Sequence, residues 1–288
     1  MIIGSNRKAV IKNINKAAQS EDFYKKVEIN DPVLTTEQSR EIVENYAKNR
    51  PTFSYKVKAF FARRLANILT LMLNRKTEII GIEKLKGLTT GAIITSNHFS
   101  PIENTCIRKI TKKLGKRRLN IVSQVTNLAM PGIVGFVMNY ADTIPISDNF
   151  RYMHDSFEPI LRQLLKKDEF VLIYPEQEMW FNYRKPRPAK RGPFYYAARL
   201  NVPVVSCFIE MQDLEKMDTK DFHKVKYIVH ILDVLYPNKE KSVKENSVLM
   251  CETDDRLKKE MYEKVYKKPL DYTFENSDIA GWIGSLDE

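Results

Sequence analysis

From residue 76 onward the chain alternates between two textures. Short runs rich in β-branched residues recur at 78–82, 92–95, 120–123, 143–146, 170–174, 202–206 and 225–232. Stretches with helical character, such as 156–167 and 194–201, separate most of them. A short continuous apolar run suits a strand covered on both faces, and a helix between two such strands lets them pair in parallel. The pattern predicts an α/β fold: a three-layer domain with a mixed, largely parallel sheet flanked by helices, preceded by an N-terminal helical segment. We divide the chain into an N-terminal helical, membrane-interfacial segment (1–76), an α/β domain (77–240), and a C-terminal helix and tail (241–288) packed on that domain.

The first fifty residues are charged and poor in long apolar runs. Thr35 and Gln38 have the spacing of a capping box, opening a helix that Pro51 stops. A second helix is expected over 55–74, with Val57, Phe61, Leu65, Ile68 and Met72 at helical spacing and Lys56, Lys58, Arg63 and Arg64 near its start. That stripe fits either a protein core or the surface of an anionic membrane. A last helix is expected over 254–268. No apolar run approaches the roughly 20 residues that a bilayer demands, and no apolar signal core follows the N-terminus. The net charge of +11 asks for an anionic partner: nucleic acid, a membrane surface or a phosphorylated substrate. Three widely spaced cysteines favour neither disulfides nor a metal site, and point to a reducing compartment.

Several chemistries lack their motifs. The sequence has no Gly-x-Gly, no Walker phosphate loop, no Gly-x-Ser-x-Gly elbow and no His-Glu-x-x-His. Four histidines remain, and His98 is the one placed for chemistry. It follows the expected strand at 92–95, and ligands gather at the carboxyl ends of α/β strands. Glu103 stands five residues on, after Pro101, where a helix should begin. A carboxylate there can hold one imidazole nitrogen so that the other acts as general base. Tyr174, Pro175 and Glu176 close another strand, and a basic run from Arg184 to Arg191 follows. A second basic cluster, Arg108, Lys109, Lys112, Lys113 and 116–118, lacks interleaved aromatics and reads as a solvated helix face or lipid-headgroup patch.

In this order the blocks resemble those of the glycerophospholipid acyltransferases, typified by the 1-acylglycerol-3-phosphate acyltransferases. That family's Asn-His-x-x-x-x-Asp reads Asn97, His98 and Glu103 here, and its glycine block reads Pro131 to Gly135 leading to the strand at 143–146. Its Phe-Pro-Glu reads Tyr174, Pro175 and Glu176, and its Lys-x-Gly reads Lys190 to Gly192, before the Pro-rich strand at 202–204. The departures are specific. The acid is glutamate, the second-block arginine is replaced by Ser147 or Asp148 with Arg151 nearest, and Gly-Thr-Arg is replaced by Gln177, Glu178 and Met179.

The resemblance implies acyl transfer from acyl-CoA or acyl-carrier protein to the hydroxyl of a lysophospholipid, with no metal and no cofactor beyond the acyl donor. His98 is then the general base and Glu103 its orienting acid. Asn97, Ser100 and Glu176 are expected at the substrate. Arg184, Lys185, Lys190 and Arg191 are expected to replace the missing phosphate-binding arginines. The expected location is cytoplasmic and peripheral, at the inner face of an anionic membrane, with no nucleic-acid partner. The rival readings are a glycolipid or other non-phosphate acceptor, and a non-catalytic basic protein that binds lipid or nucleic acid.

Overall fold

The computed structural model describes residues 6–29, 31–115 and 118–286. In chain order the elements are α1 (Arg7–Gln19), α2 (Thr36–Asn49), α3 (Phe53–Leu73), β1 (Glu78–Ile80), β2 (Ala92–Thr95), α4 (Asn104–Lys113), β3 (Leu119–Gln124), α5 (Gly132–Tyr140), β4 (Thr143–Ile146), α6 (Phe150–Tyr152), α7 (Glu158–Leu165), β5 (Phe170–Leu172), α8 (Gly192–Leu200), β6 (Val204–Thr219), β7 (Phe222–Leu235) and α9 (Val243–Tyr266). The strands form one seven-stranded sheet in the order β1-β7-β6-β2-β5-β3-β4. Every pairing is parallel except β6 with β7. This is the mixed, mostly parallel sheet with flanking helices expected from the alternation. β2 sits in its middle with all four residues buried, between β5 and β6.

Two apolar clusters cover the sheet. Ile93, Val171, Val204, Leu161 and Phe194 belong to one, and Ile94, Leu172, Val205, Ile107 and Phe99 to the other. Alternate residues of the central strands thus face opposite layers, as the pleat requires.

The structure departs from the sequence reading at several elements. α1 was not expected, because its polar residues hide the apolar positions Val10, Ile11, Ile14, Ala17 and Ala18. These fall on one buried face and pack with Trp180 and Phe181. β6 runs thirteen residues past 206, where the apolar run weakens. Its outer half is mostly exposed, and pairing with β7 holds it rather than burial. α9 begins at Val243 rather than near 254, opened by a Ser242–Glu245 capping box. The α2 capping box of Thr35 and Gln38 forms as expected.

α3 resolves the ambiguity of its stripe. Its buried side chains are Ala59, Ala62, Ala66 and Thr70, small residues that allow close approach to α4 and α5. Val57, Phe61, Ile68 and Met72 are exposed instead, as are Phe53, Phe60 and Leu71. Among the described residues no helix is long and apolar enough to cross a membrane.

Candidate active site

The site forms where the carboxyl ends of β2 and β5 lie side by side. Past Thr95 the chain leaves the sheet, and the Asn97 side chain continues the pairing. Its Nδ2 donates to the Ile209 carbonyl at 3.0 Å, and its Oδ1 accepts the Ile209 N–H at 2.8 Å. Asn97 is 1% exposed and anchors β6 to the turn. Ser100 is likewise buried, its hydroxyl accepting the Ile102 N–H at 3.4 Å. Asn97 and Ser100, both expected at the substrate, are tied to backbone in the turn that presents His98.

His98 and Glu103 meet as the spacing suggested. Nδ1 lies 2.6 Å from Glu103 Oε1. Glu103 is the N-cap residue of α4, whose amide dipoles favour a carboxylate at that end. Its side chain is 1% exposed, whereas that of His98 is 20% exposed. No hydrogen bond to Nε2 competes with a substrate proton among the described residues. The imidazole is therefore held at one nitrogen and open at the other.

Tyr174, from the end of β5, lies flat against this imidazole with ring centroids 3.9 Å apart and planes 10° apart. Burial, and then the Glu103 charge, hold its phenol well above the usual range. Tyr174 Oη and Glu103 Oε2 are both buried without a hydrogen-bond partner. The sequence reading used Tyr174 only to align a block. The signal that could have singled it out is the aromatic residue directly before Pro175 and Glu176, at a strand's carboxyl end.

Glu176 is buried and fully engaged. Oε2 accepts the His98 N–H at 3.2 Å and Oε1 accepts the Arg187 N–H at 3.1 Å. The Arg187 guanidinium donates to Oε2 at 3.0 Å and also reaches the carbonyls of Glu178 and Phe23. Glu176, expected at the substrate, therefore braces the His98 backbone. Arg187 is the residue of the basic run that sequence reasoning passed over. Nothing in its local pattern, an arginine between Pro186 and Pro188, distinguishes it from its neighbours. Trp180 and Asn182 donate backbone N–H groups to the carbonyls of His98 and Phe99, so the β5 loop and the His98 turn are laced together.

The four cations expected at an acceptor phosphate divide into two pairs. Arg184 is held by Asp213 and the Ser277 carbonyl, and Lys185, 2% exposed, is paired with Asp278 at 2.8 Å. Both are thus paired with carboxylates of this chain. Lys190 and Arg191 are exposed. The Lys190 ammonium sits 3.7 Å over the Tyr24 ring, and its backbone N–H donates to the Pro175 carbonyl, next to the His98 brace. Arg151 is 91% exposed and pairs with Asp155. In the second basic cluster, Arg108 is buried rather than solvated, and burial lowers its pKa. Lys116 and Arg117 of that cluster lie outside the described residues. Among the described residues no group of three or more His, Cys, Asp or Glu side chains is placed to hold a metal ion.

No curated protein sequence matches the chain. Among solved structures it is similar to the crystal structure of the 1-acyl-sn-glycerophosphate (LPA) acyltransferase PlsC from Thermotoga maritima. That likeness has a TM-score of 0.50 at 15% identity, over 81% of this chain and 97% of that one. It is a likeness of fold. The Acyltransferase family model matches residues 76–210, the stretch that carries β1 to β5, the His98–Glu103 pair and the Glu176 brace. The stretch 76–210 is similar in sequence to the Acyltransferase family.

Proposed function

We propose that the protein transfers a fatty acyl group from a thioester, acyl-CoA or acyl-carrier protein, to the hydroxyl of a lysophospholipid of the 1-acylglycerol-3-phosphate type. The observation that carries this is the 2.6 Å contact between His98 Nδ1 and Glu103 Oε1, beside a partly exposed imidazole. The Glu103 carboxylate keeps the proton on Nδ1 and stabilises the imidazolium that forms during reaction. Nε2 then removes the acceptor hydroxyl's proton as its oxygen attacks the thioester carbonyl. Collapse of the tetrahedral intermediate expels the thiolate, which takes the proton back from His98. No enzyme nucleophile enters, since the acceptor oxygen attacks directly. Lys190 and Arg191 are the remaining cations of the basic run that can meet an acceptor phosphate.

The enzyme works at an anionic membrane surface in this reading. Its support is the exposed face of α3, where Phe53, Phe60, Phe61, Ile68, Leu71 and Met72 point away from the core. Arg64 lies over the Phe60 ring, a cation beside apolar side chains as at a lipid interface. A second reading, a glycolipid or other non-phosphate acceptor, is favoured by the internal pairing of Arg184 and Lys185.

The test is lipid mass spectrometry after incubation with an acyl donor and a panel of lyso-acceptors, using wild type and His98→Ala. Transfer to lysophosphatidic acid that falls by roughly 10²–10⁴-fold in a folded His98→Ala protein supports the proposal. Equal turnover by the variant removes His98 from the mechanism, and transfer confined to uncharged acceptors selects the second reading.

A further inference from the structure

The acyl-transfer site leaves one strongly charged cavity unused. Between the C-terminal end of α3 and the last turns of α4 lies a space of about 300 Å³, lined in part by Leu71, Arg75, Lys109, Lys112 and Lys113. Four of its seven lining residues are basic, and no acidic residue lines it. Two of them already serve the fold. Lys109 Nζ donates to the carbonyls of Asn74 and Thr77 at 2.7 and 2.6 Å, and Lys112 Nζ to that of Asn67 at 3.2 Å. A helix carboxyl end attracts such cations. Arg75 and Lys113 are exposed, and no ion pair joins any of the four to a carboxylate among the described residues.

The crowding carries a cost. Burial, and then the like charge of Lys113, lower the pKa of Lys109, while burial and Arg108 lower that of Lys112. An anion in the cavity relieves that repulsion. Leu71 lines the cavity and belongs to the exposed apolar face of α3, so the space opens beside the surface proposed above to meet lipid.

We propose that this cavity binds the phosphate headgroup of an anionic phospholipid in the bilayer, and binds a dianionic phosphomonoester best. The proposal rests on the membrane reading given above. The lipid held here is not the one being acylated. None of His98, Glu103 and Tyr174 lines the cavity, and the α4 backbone at Lys109 and Lys112 stands roughly 9 and 14 Å along the helix from Glu103. An acceptor hydroxyl lies only a few bonds from its own phosphate, too close to span that distance. The bound headgroup instead fixes how the enzyme sits on the membrane.

Co-sedimentation with phosphatidylcholine vesicles tests this, the vesicles carrying either phosphatidic acid or phosphatidylserine at matched surface charge. Wild type is expected to prefer phosphatidic acid. Arg75→Gln with Lys113→Gln removes two near-surface charges and should weaken binding to those vesicles about 30-fold, abolishing the preference. Lys56→Gln with Lys58→Gln, charges on α3 outside the cavity, should lower binding to both vesicles alike. Unchanged circular dichroism establishes that both double variants fold. If the cavity variant loses no more than the α3 variant, the charge acts diffusely and the site does not exist. If wild type ignores all vesicles while glycerol 3-phosphate raises its melting temperature, and fails to do so in the cavity variant, the ligand is soluble and the bilayer source is wrong. His98→Ala separates the two readings: it should keep the vesicle preference and lose transfer. A wild type that keeps the preference but transfers nothing overturns the acyl-transfer reading and supports this one.

Discussion

The Tyr174 ring stacks on the His98 imidazole at a centroid distance of 3.9 Å, with the planes 10° from parallel. Glu103 holds Nδ1 at 2.6 Å and Tyr174 covers one face, so the imidazole can neither swing nor flip without losing a contact. A general base acts only from a defined position, and an error near 1 Å can cost about 10²-fold in rate. Tyr174→Phe keeps the ring and should retain kcat within about threefold. Tyr174→Ala removes the face and should lower kcat by roughly 10- to 100-fold. Equal rates for the two variants in a steady-state assay would show that the stack does not position His98.

Glu103 fills with glutamate the place where the related motif has aspartate. Glu103→Gln keeps the shape but removes the charge that stabilises the imidazolium, so kcat should drop at least tenfold. Glu103→Asp keeps the charge on a shorter arm and should be more active than the glutamine variant. A glutamine enzyme with full activity across the pH range would reduce Glu103 to a helix cap.

Asn97 stands beside the general base, yet its amide is committed to the Ile209 backbone. Asn97→Ala leaves a buried N–H and a buried carbonyl without partners, at about 1–3 kcal/mol each. Urea unfolding should therefore show a loss of about 2–6 kcal/mol. The Michaelis constant of the remaining folded enzyme should change little, which separates an anchor from a substrate contact.

Lys185 and the pair Lys190 and Arg191 belong to one basic run but should respond differently. Lys185→Ala leaves the fully buried Asp278 with Lys268 at 3.3 Å and the Glu275 N–H as partners, and should destabilise the fold by about 1–3 kcal/mol. Lys190→Ala with Arg191→Ala should leave stability nearly unchanged and raise the Michaelis constant for a phosphorylated acceptor roughly tenfold or more. Equal effects on phosphorylated and uncharged acceptors would place that pair on the membrane or the donor instead.

Asp255 accepts the Ala189 N–H beneath this run, and burial raises its carboxyl pKa from 3.8 to about 6. The folded state then holds a proton that the unfolded state has released between about pH 4 and pH 6. Stability from this group is present at the acid end of that window and is lost as pH rises through it. Asp255→Asn should flatten the slope of unfolding free energy between those pH values and raise stability at neutral pH. An unaltered slope in denaturant titrations across this window would assign it to another group.

The fold class was written in the chain because it depends on local texture. Apolar runs such as those of β2 and β5 bury both faces of a strand wherever they pair, and the capping box at Thr35 and Gln38 opens α2 without tertiary help. The His98–Glu103 pair was legible for the same reason: five residues bridging a strand end and a helix start bring their side chains together locally. The roles of the other polar residues depend on contacts far apart in sequence, which no local pattern encodes. Asn97 meets Ile209, Glu176 meets His98 and Arg187, and Lys185 meets Asp278. Which face of α3 turns outward was decided the same way. An apolar stripe and a small-residue stripe both satisfy a helix by itself, and only the close packing of Ala59, Ala62 and Ala66 against the domain leaves the large side chains to the surface.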